Sequence, residues 1–280
     1  MQYRVLVSLG IVWASLSWAA AAQPHPKPFL DAHSHYTAAD ARALGPAAIV
    51  QKLDEAGVSQ VVISGTPGAL AQELHAHAPQ RIIPLLGVYG SDADKATWMR
   101  DRSLPARVAA QLRSGTWAGL GELHLFAQDA HSEVFAELVR LAAQHGLVLL
   151  LHGDAEVVDR AFELEPGLRV LWAHLGTQPV PDTVAAVLQR HAQRALWIDT
   201  SVRDDRIAPS GQLLPAWRAL FEAHPDRFVV AIDAFSTQRW GRYAQVAGQI
   251  RQWTQPLAPE LRERLLRSNA EALFAPWTRR

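Results

Sequence analysis

Residues 147–174 read LVLLLHGDAEVVDRAFELEPGLRVLWAH: two apolar β-type runs, Leu147 to His152 and Arg169 to His174, separated by an amphipathic stretch and each ending in histidine. Runs this continuously apolar are expected where both faces of a strand are buried, as in a parallel sheet covered by helices. Six more runs of β type lie outside this pair: Phe29 to His33, Val58 to Ser64, Ile82 to Tyr89, Ala118 to Leu123, Ala195 to Thr200 and Phe228 to Asp233. Helix-period patterns fill the gaps, as in Ser132 to His145, where Val134, Leu138, Leu141 and Ala142 repeat, and Thr183 to His191, with Val184, Val187 and Leu188. Eight such units in about 250 residues predict an α/β chain closed into a (β/α)8 TIM barrel. An open doubly wound sheet competes, but no GxGxxG follows the first run and the strand count favours closure. The connection from Gly90 to Thr116, with Pro105 inside it, reads as a long loop and a candidate active-site lid.

The 280 residues suit one large domain, and a composition 49% apolar and 19% charged supplies a sizeable core. Lys plus Arg and Asp plus Glu both total 27, so no basic excess is available to neutralise phosphates, and nucleic acid is not an expected partner. Cysteine is absent, which removes disulfides, thiolate ligands and a thiol nucleophile; any metal must be held by nitrogen and oxygen. The opening MQYRVLVSLGIVWASLSWAAAA has Arg4, an apolar stretch from Val5 and a small-residue end at Ala20 to Ala22. It reads as a signal peptide over 1–22, cut near Gln23, with the barrel domain over 23–280 and a periplasmic or secreted destination. The alternative is an uncleaved membrane anchor over Val5 to Ala22. Gln23 to Pro28, with three prolines, is an extended leader, and His25 in it is a solvated tail residue.

Six residues of metal-ligand type sit at or just past the ends of the β-type runs, and in a parallel barrel those ends converge on one face. His33 and His35, spaced by one residue, point the same way from an extended chain and so reach one cation together. The same spacing in Gly121-Glu122-Leu123-His124 sets a carboxylate and a histidine side by side. A rim salt bridge is the plain explanation for Glu122, and a backbone-bonded buried ring for His152 or His174 alone. Two successive strands ending identically make the latter explanation poor. Asp233, after the apolar FVVAI, needs a cation or hydrogen-bond donors, or caps the next helix. Loops after the strands offer His124, Asp154, Ser201, Arg203 and Trp240 as substrate contacts. Arg203 suits a substrate carboxylate, with a rim salt bridge to Asp204 or Asp205 as the equal alternative. His75, His77, His131, His145, His191 and His224 fall in helical or loop stretches and are read as surface or helix-end residues.

This arrangement resembles the amidohydrolase superfamily, most closely its amidohydrolase-related branch of metal-dependent hydrolases and decarboxylases, over essentially the whole mature chain. The ending Asn269-Ala270-Glu271-Ala272-Leu273-Phe274 is similar to the NAxxLF ending of that group. The resemblance implies a site of His33, His35, Glu122, His152, His174 and Asp233. The only lysines are Lys27, Lys52 and Lys95, so the carbamylated-lysine variant is ruled out, and Glu122 resembles the strand-four glutamate of TatD-type relatives. With two ions, His33, His35 and Asp233 would hold one, His152 and His174 the other, and Glu122 would bridge. With one, His33, His35, His152 and Asp233 would be the set, leaving His174 to polarise the substrate carbonyl. Zinc comes first from imidazole-rich, sulfur-free ligands, with Mn2+ or Fe2+ also admitted. The implied chemistry is attack by metal-activated water, with Asp233 as general base and then acid. Its expected target is a lactone, amide or ester bond of a small molecule. The rival reactions are non-oxidative decarboxylation of an aromatic or enolic carboxylate and phosphoester hydrolysis. A non-catalytic extracytoplasmic metal-binding protein is the reading from another class. Oligomeric state is open, a homo-oligomer included.

Overall fold

The computed structural model describes residues 28–278; the expected signal peptide over 1–22, its cleavage point near Gln23 and the tail residue His25 lie outside the described residues. Eight strands run in sequence order around one sheet: β1 (Phe29–Thr37), β2 (Val58–Thr66), β3 (Ile82–Leu86), β4 (Gly119–Leu125), β5 (Val148–Gly153), β6 (Arg169–Trp172), β7 (Ala195–Asp199) and β8 (Phe228–Val229). Every neighbouring pair is parallel, with helices in the crossovers. The sheet curls until its ends meet. Ala32 donates to the Val230 carbonyl (3.2 Å), Asp233 to that of His33 (2.7 Å) and His35 to that of Ala234 (3.2 Å), so the expected TIM barrel is the fold. Among the described residues no helix is long and apolar enough to cross a membrane.

Several strand ends move from the sequence reading: β1 runs on to Thr37, β2 to Thr66 and β4 to Leu125, while β3 stops at Leu86; three further departures have a local reason. The eighth strand stops at Val229 rather than Asp233, because the Val230 N–H goes to the Leu265 carbonyl (3.0 Å) and the Ile232 N–H to the Asp31 carboxylate (2.8 Å) instead of the ladder. The sixth stops at Trp172, because His174 turns into the left-handed region at φ 61°. The connection over 90–116 is built, not loose. It holds two short 3-10 turns and a helix, Leu104–Ser114, whose first turn contains Pro105, where the missing N–H costs nothing. Its Trp98 is buried and donates from Nε1 to the His124 carbonyl (2.8 Å), which seats this segment on the end of β4.

The seam where the barrel closes is held by a buried polar group, Asp31. Its Oδ1 accepts from the backbone of His33 and Ile232, and its Oδ2 from the hydroxyls of Ser34 (2.7 Å) and Tyr243 (2.7 Å). Burial pushes its carboxyl up to about 6, against those four donors. Asp31→Ala strands the Ile232 N–H and the Tyr243 hydroxyl in the interior. It should cost about 3 kcal/mol of stability in a denaturant titration, where a neutral surface carboxylate would cost almost nothing.

Candidate active site

Pleating along β1 puts His33 and His35 on one face with their Nε2 atoms 3.1 Å apart, both buried. On β4 the register with β5 breaks between Leu120 and Leu123. Gly121 there has φ 128°, and a side chain on it would strike the Leu150 carbonyl, so only glycine fits the turn that brings Glu122 inward. The Glu122 carboxylate is 3% exposed and meets five imidazoles. Oε1 lies 3.0 Å from His152 Nδ1, 3.2 Å from His174 Nε2 and 3.6 Å from His33 Nε2; Oε2 lies 3.3 Å from both His35 Nε2 and His124 Nε2.

The remaining two groups arrive on strained backbone. His174 (φ 61°) and Asp233 (φ 54°) occupy the left-handed region, which costs roughly 1–2 kcal/mol for a residue with a side chain. Each is clamped from both sides of its peptide unit. The His174 N–H donates to Asp199 Oδ1 (3.0 Å) while its carbonyl accepts from Arg203 Nε (3.0 Å). The Asp233 N–H donates to the His33 carbonyl (2.7 Å) while its own carbonyl accepts from Arg239 Nε (3.2 Å). Asp233 Oδ1 then stands 3.3 Å from His35 Nε2 and 3.9 Å from His33 Nε2.

The six candidates from the strand ends therefore share one cluster, and His124 joins it at the rim, stacked on His152 with ring centroids 4.4 Å apart. The other loop candidates are bonded within the protein. Ser201 is fully buried, and its hydroxyl is spent between Asp199 (2.5 Å) and His174 (2.8 Å). Arg203 points its fork at the His174 and Gly176 carbonyls. Trp240 is fully buried and donates to the His35 carbonyl (3.1 Å). Asp154 ties the loops after β4 and β6 through the Ala127 N–H and the Thr177 hydroxyl. The group that sequence reasoning missed is Asp199, whose Oδ2 lies 3.0 Å from His33 Nδ1. Its signal was the same as that of Asp233: a carboxylate closing an apolar run.

Three buried carboxylates, Glu122, Asp199 and Asp233, surround His33. Burial by itself would lower the His33 pKa, but those three neighbours raise it well above the ordinary imidazole value. His35 is likewise lowered by burial and raised on balance by Asp233 and Glu122. Burial works to raise Asp233, yet the imidazoles of His33, His35 and His174 bring it down to about 2; Glu122 is driven the same way, chiefly by His33. His124 is brought down to about 3 by burial. The cluster is thus a buried anionic hole demanding positive charge at His33 and His35.

A divalent ion fits that demand. Ligand atoms about 2.1 Å from a tetrahedral ion stand roughly 3.4 Å apart, and His33 Nε2, His35 Nε2 and Asp233 Oδ1 are separated by 3.1, 3.3 and 3.9 Å. Asp233 Oδ1 is buried without a hydrogen-bond partner, an orphan lone pair that a cation would satisfy. Among the described residues two further groups have ligand spacing: His33 with His174 and Asp199, and Glu122 with His124 and His152.

The amidohydrolase family model matches residues 17–275 of the chain. A search of curated proteins found no match. Among solved structures, an Acinetobacter baumannii protein described as a probable 2-pyrone-4,6-dicarboxylic acid hydrolase, with citric acid bound, is 14% identical, with 89% of this chain and 99% of that one covered and a TM-score of 0.62. A Pseudomonas putida protein carrying the same provisional description is 20% identical, with 89% and 97% covered and a TM-score of 0.61. At such identities the likeness speaks for the barrel alone. The family match spans nearly the whole chain, and with it the protein belongs to the amidohydrolase family, as a hydrolytic enzyme of the amidohydrolase superfamily.

Proposed function

We propose that this enzyme is a metal-dependent hydrolase that opens a lactone, or cleaves an amide or ester, of a small molecule. One observation carries the reading: His33 Nε2 and His35 Nε2 stand at ligand spacing from Asp233 Oδ1, a buried oxygen with no hydrogen-bond partner, with Glu122 alongside both rings. Two structural relatives described as hydrolases of the lactone 2-pyrone-4,6-dicarboxylic acid favour the lactone among these bonds. The signal-like residues 1–22 favour a place outside the cytoplasm, periplasmic or secreted.

His33, His35, Asp233 and Glu122 would hold the ion, zinc first among Mn2+ and Fe2+ on the imidazole-rich donor set. Bound there, it supplies a Lewis acid for the carbonyl and brings the pKa of a water to about 7. Asp233, held ionised by the surrounding imidazoles, would serve as the general base and then as the acid that protonates the departing oxygen or nitrogen. His152 is the most open ring of the cluster, 28% exposed, with Nδ1 committed to Glu122; it stands at the mouth to meet the substrate carbonyl. Phe126, exposed above it with ring centroids 6.3 Å apart, offers an apolar wall.

The direct test is zinc content per chain beside turnover of lactones, including 2-pyrone-4,6-dicarboxylate, with esters, amides, phosphoesters and carbon dioxide release as comparators. Lactone opening that a chelator abolishes and zinc restores is the expected result. Asp233→Asn should lower kcat by about 10^2 to 10^4. Carbon dioxide release in place of ring opening would replace this reading with the decarboxylase.

The pH dependence has a definite sign. A group whose folded pKa is raised stabilises the fold fully below its unfolded value, about 6.5 for histidine, and that contribution is lost as pH climbs through the folded value. With His33 and His35 both raised, the metal-free enzyme should melt at progressively lower temperature as pH rises above about 6.5. Zinc takes the place of those protons, so loading should flatten the trend, and calorimetry in buffers of different ionisation heat should show proton release on zinc binding. Melting that is flat with pH in the metal-free form would contradict the charge balance drawn for the cluster.

A further inference from the structure

Two neighbouring site imidazoles, His33 and His174, stacked with ring centroids 5.1 Å apart, each have a ring proton decided by one carboxylate. Asp199 is fully buried at the end of β7. Its Oδ1 accepts from three donors: the backbone N–H of His174 (3.0 Å), the backbone N–H of Ser201 (2.9 Å) and the Ser201 hydroxyl (2.5 Å). Its Oδ2 lies 3.0 Å from His33 Nδ1. A carboxylate oxygen only accepts, so His33 Nδ1 must carry hydrogen. The single hydroxyl hydrogen of Ser201 is given to Asp199, which leaves its oxygen to accept at 2.8 Å from His174 Nδ1; that nitrogen also carries hydrogen.

We infer that Asp199 is a positioning residue that sets the ring protons of two site histidines at once, directly on His33 and through Ser201 on His174. The consequence lies on the far side of each ring. His33 Nε2 and His174 Nε2 become the atoms that take the cation, and both point at Glu122 Oε1, at 3.6 and 3.2 Å. Were either ring in the other tautomer, its N–H would project into the ligand cluster and block the metal. The same Asp199 oxygen also holds the His174 backbone in its left-handed turn, so β1, β6 and β7 are registered to one another through this one side chain. This is the outer-sphere arrangement that orients metal-binding imidazoles, here shared between two of them.

Asp199→Asn separates this role from bulk, because it keeps the shape. Three donors hold the amide oxygen on their side, so the amide NH2 must face His33 Nδ1, which then has to accept and cannot carry hydrogen. Long-range 1H–15N spectra of the zinc-free wild type should show the Nδ1 proton on both His33 and His174. D199N should remove the His33 Nδ1 hydrogen and leave hydrogen on Nε2 alone, with His174 as it was, and zinc affinity, read by competition with a chromogenic chelator, should fall about 10- to 100-fold. S201A should disturb His174 alone, with a smaller loss of zinc affinity. A folded D199N enzyme that binds zinc within twofold of wild type would overturn the inference. So would wild-type spectra with His33 or His174 protonated on Nε2 alone, a result that needs no variant to fold. The spectral arm stands without the hydrolase reading; only the zinc arm rests on it.

Discussion

The structure depends on one buried carboxylate with five imidazoles around it. Glu122 lies at the centre of the barrel mouth, and its two oxygens divide His33, His152 and His174 from His35 and His124. Removing an ionised carboxylate from water costs several kcal/mol even after relaxation, and Asp199 and Asp233 repeat that cost nearby. Neutral imidazoles do not offset it; cationic charge does. The barrel tolerates the cost because its walls are strands with hydrogen-bonded neighbours on either side, and because the mouth is where their ends meet. A site this demanding of positive charge in an otherwise neutral chain points to a cation as part of the working enzyme.

From that centre the strain in the backbone becomes intelligible. Gly121, His174 and Asp233 all have positive φ, and all three deliver groups to the Glu122 cluster. Regular strands would point alternate side chains at the barrel interior or the helices and would leave the mouth lined at a fixed pitch. Turning the chain at the end of β6 and past β8 breaks that pitch. The two turns bearing side chains are stabilised by paired clamps, Asp199 with Arg203 and the His33 carbonyl with Arg239. Arg203 and Arg239 belong to the scaffold of the site, since both forks close on main-chain carbonyls.

Much of this is legible in the chain. Apolar runs such as LVLLL and FVVAI need burial on both faces, and their alternation with amphipathic stretches leaves few architectures besides the parallel barrel. Polar residues closing such runs are equally plain, which is why His33, Glu122, His152, His174 and Asp233 stand out before any coordinates. What pattern does not carry is direction. Ser201 and Arg203 lie after a strand, as substrate contacts do, yet their side chains turn back onto Asp199 and onto main-chain carbonyls. Trp240 looks like a rim aromatic but packs under β1. Asp199 closes its run as Asp233 does, and the difference between the two lies in which side of the His33 imidazole each carboxylate reaches, Nδ1 for Asp199 and Nε2 for Asp233.

That difference also divides the mouth into two halves. On one side His33, His174 and Asp233 are buried and anchored through Asp199, Ser201 and the β1 backbone, with their free lone pairs turned inward. On the other, His124 is under a different constraint: its backbone N–H donates to the Tyr89 hydroxyl (2.8 Å), and that hydroxyl faces His124 Nδ1 at 3.3 Å. The Tyr89 hydrogen has Nδ1 as its acceptor, so the His124 proton resides on Nε2, directed at Glu122 Oε2. His152 likewise directs Nδ1 at Glu122 Oε1 and opens toward solvent. Glu122 is thus met from the β4 and β5 side by His124 and His152, the two more exposed rings of the cluster, and from the β1 and β6 side by the buried His33, His35 and His174. That asymmetry leaves the His124 and His152 half of the mouth as the one more open to solvent.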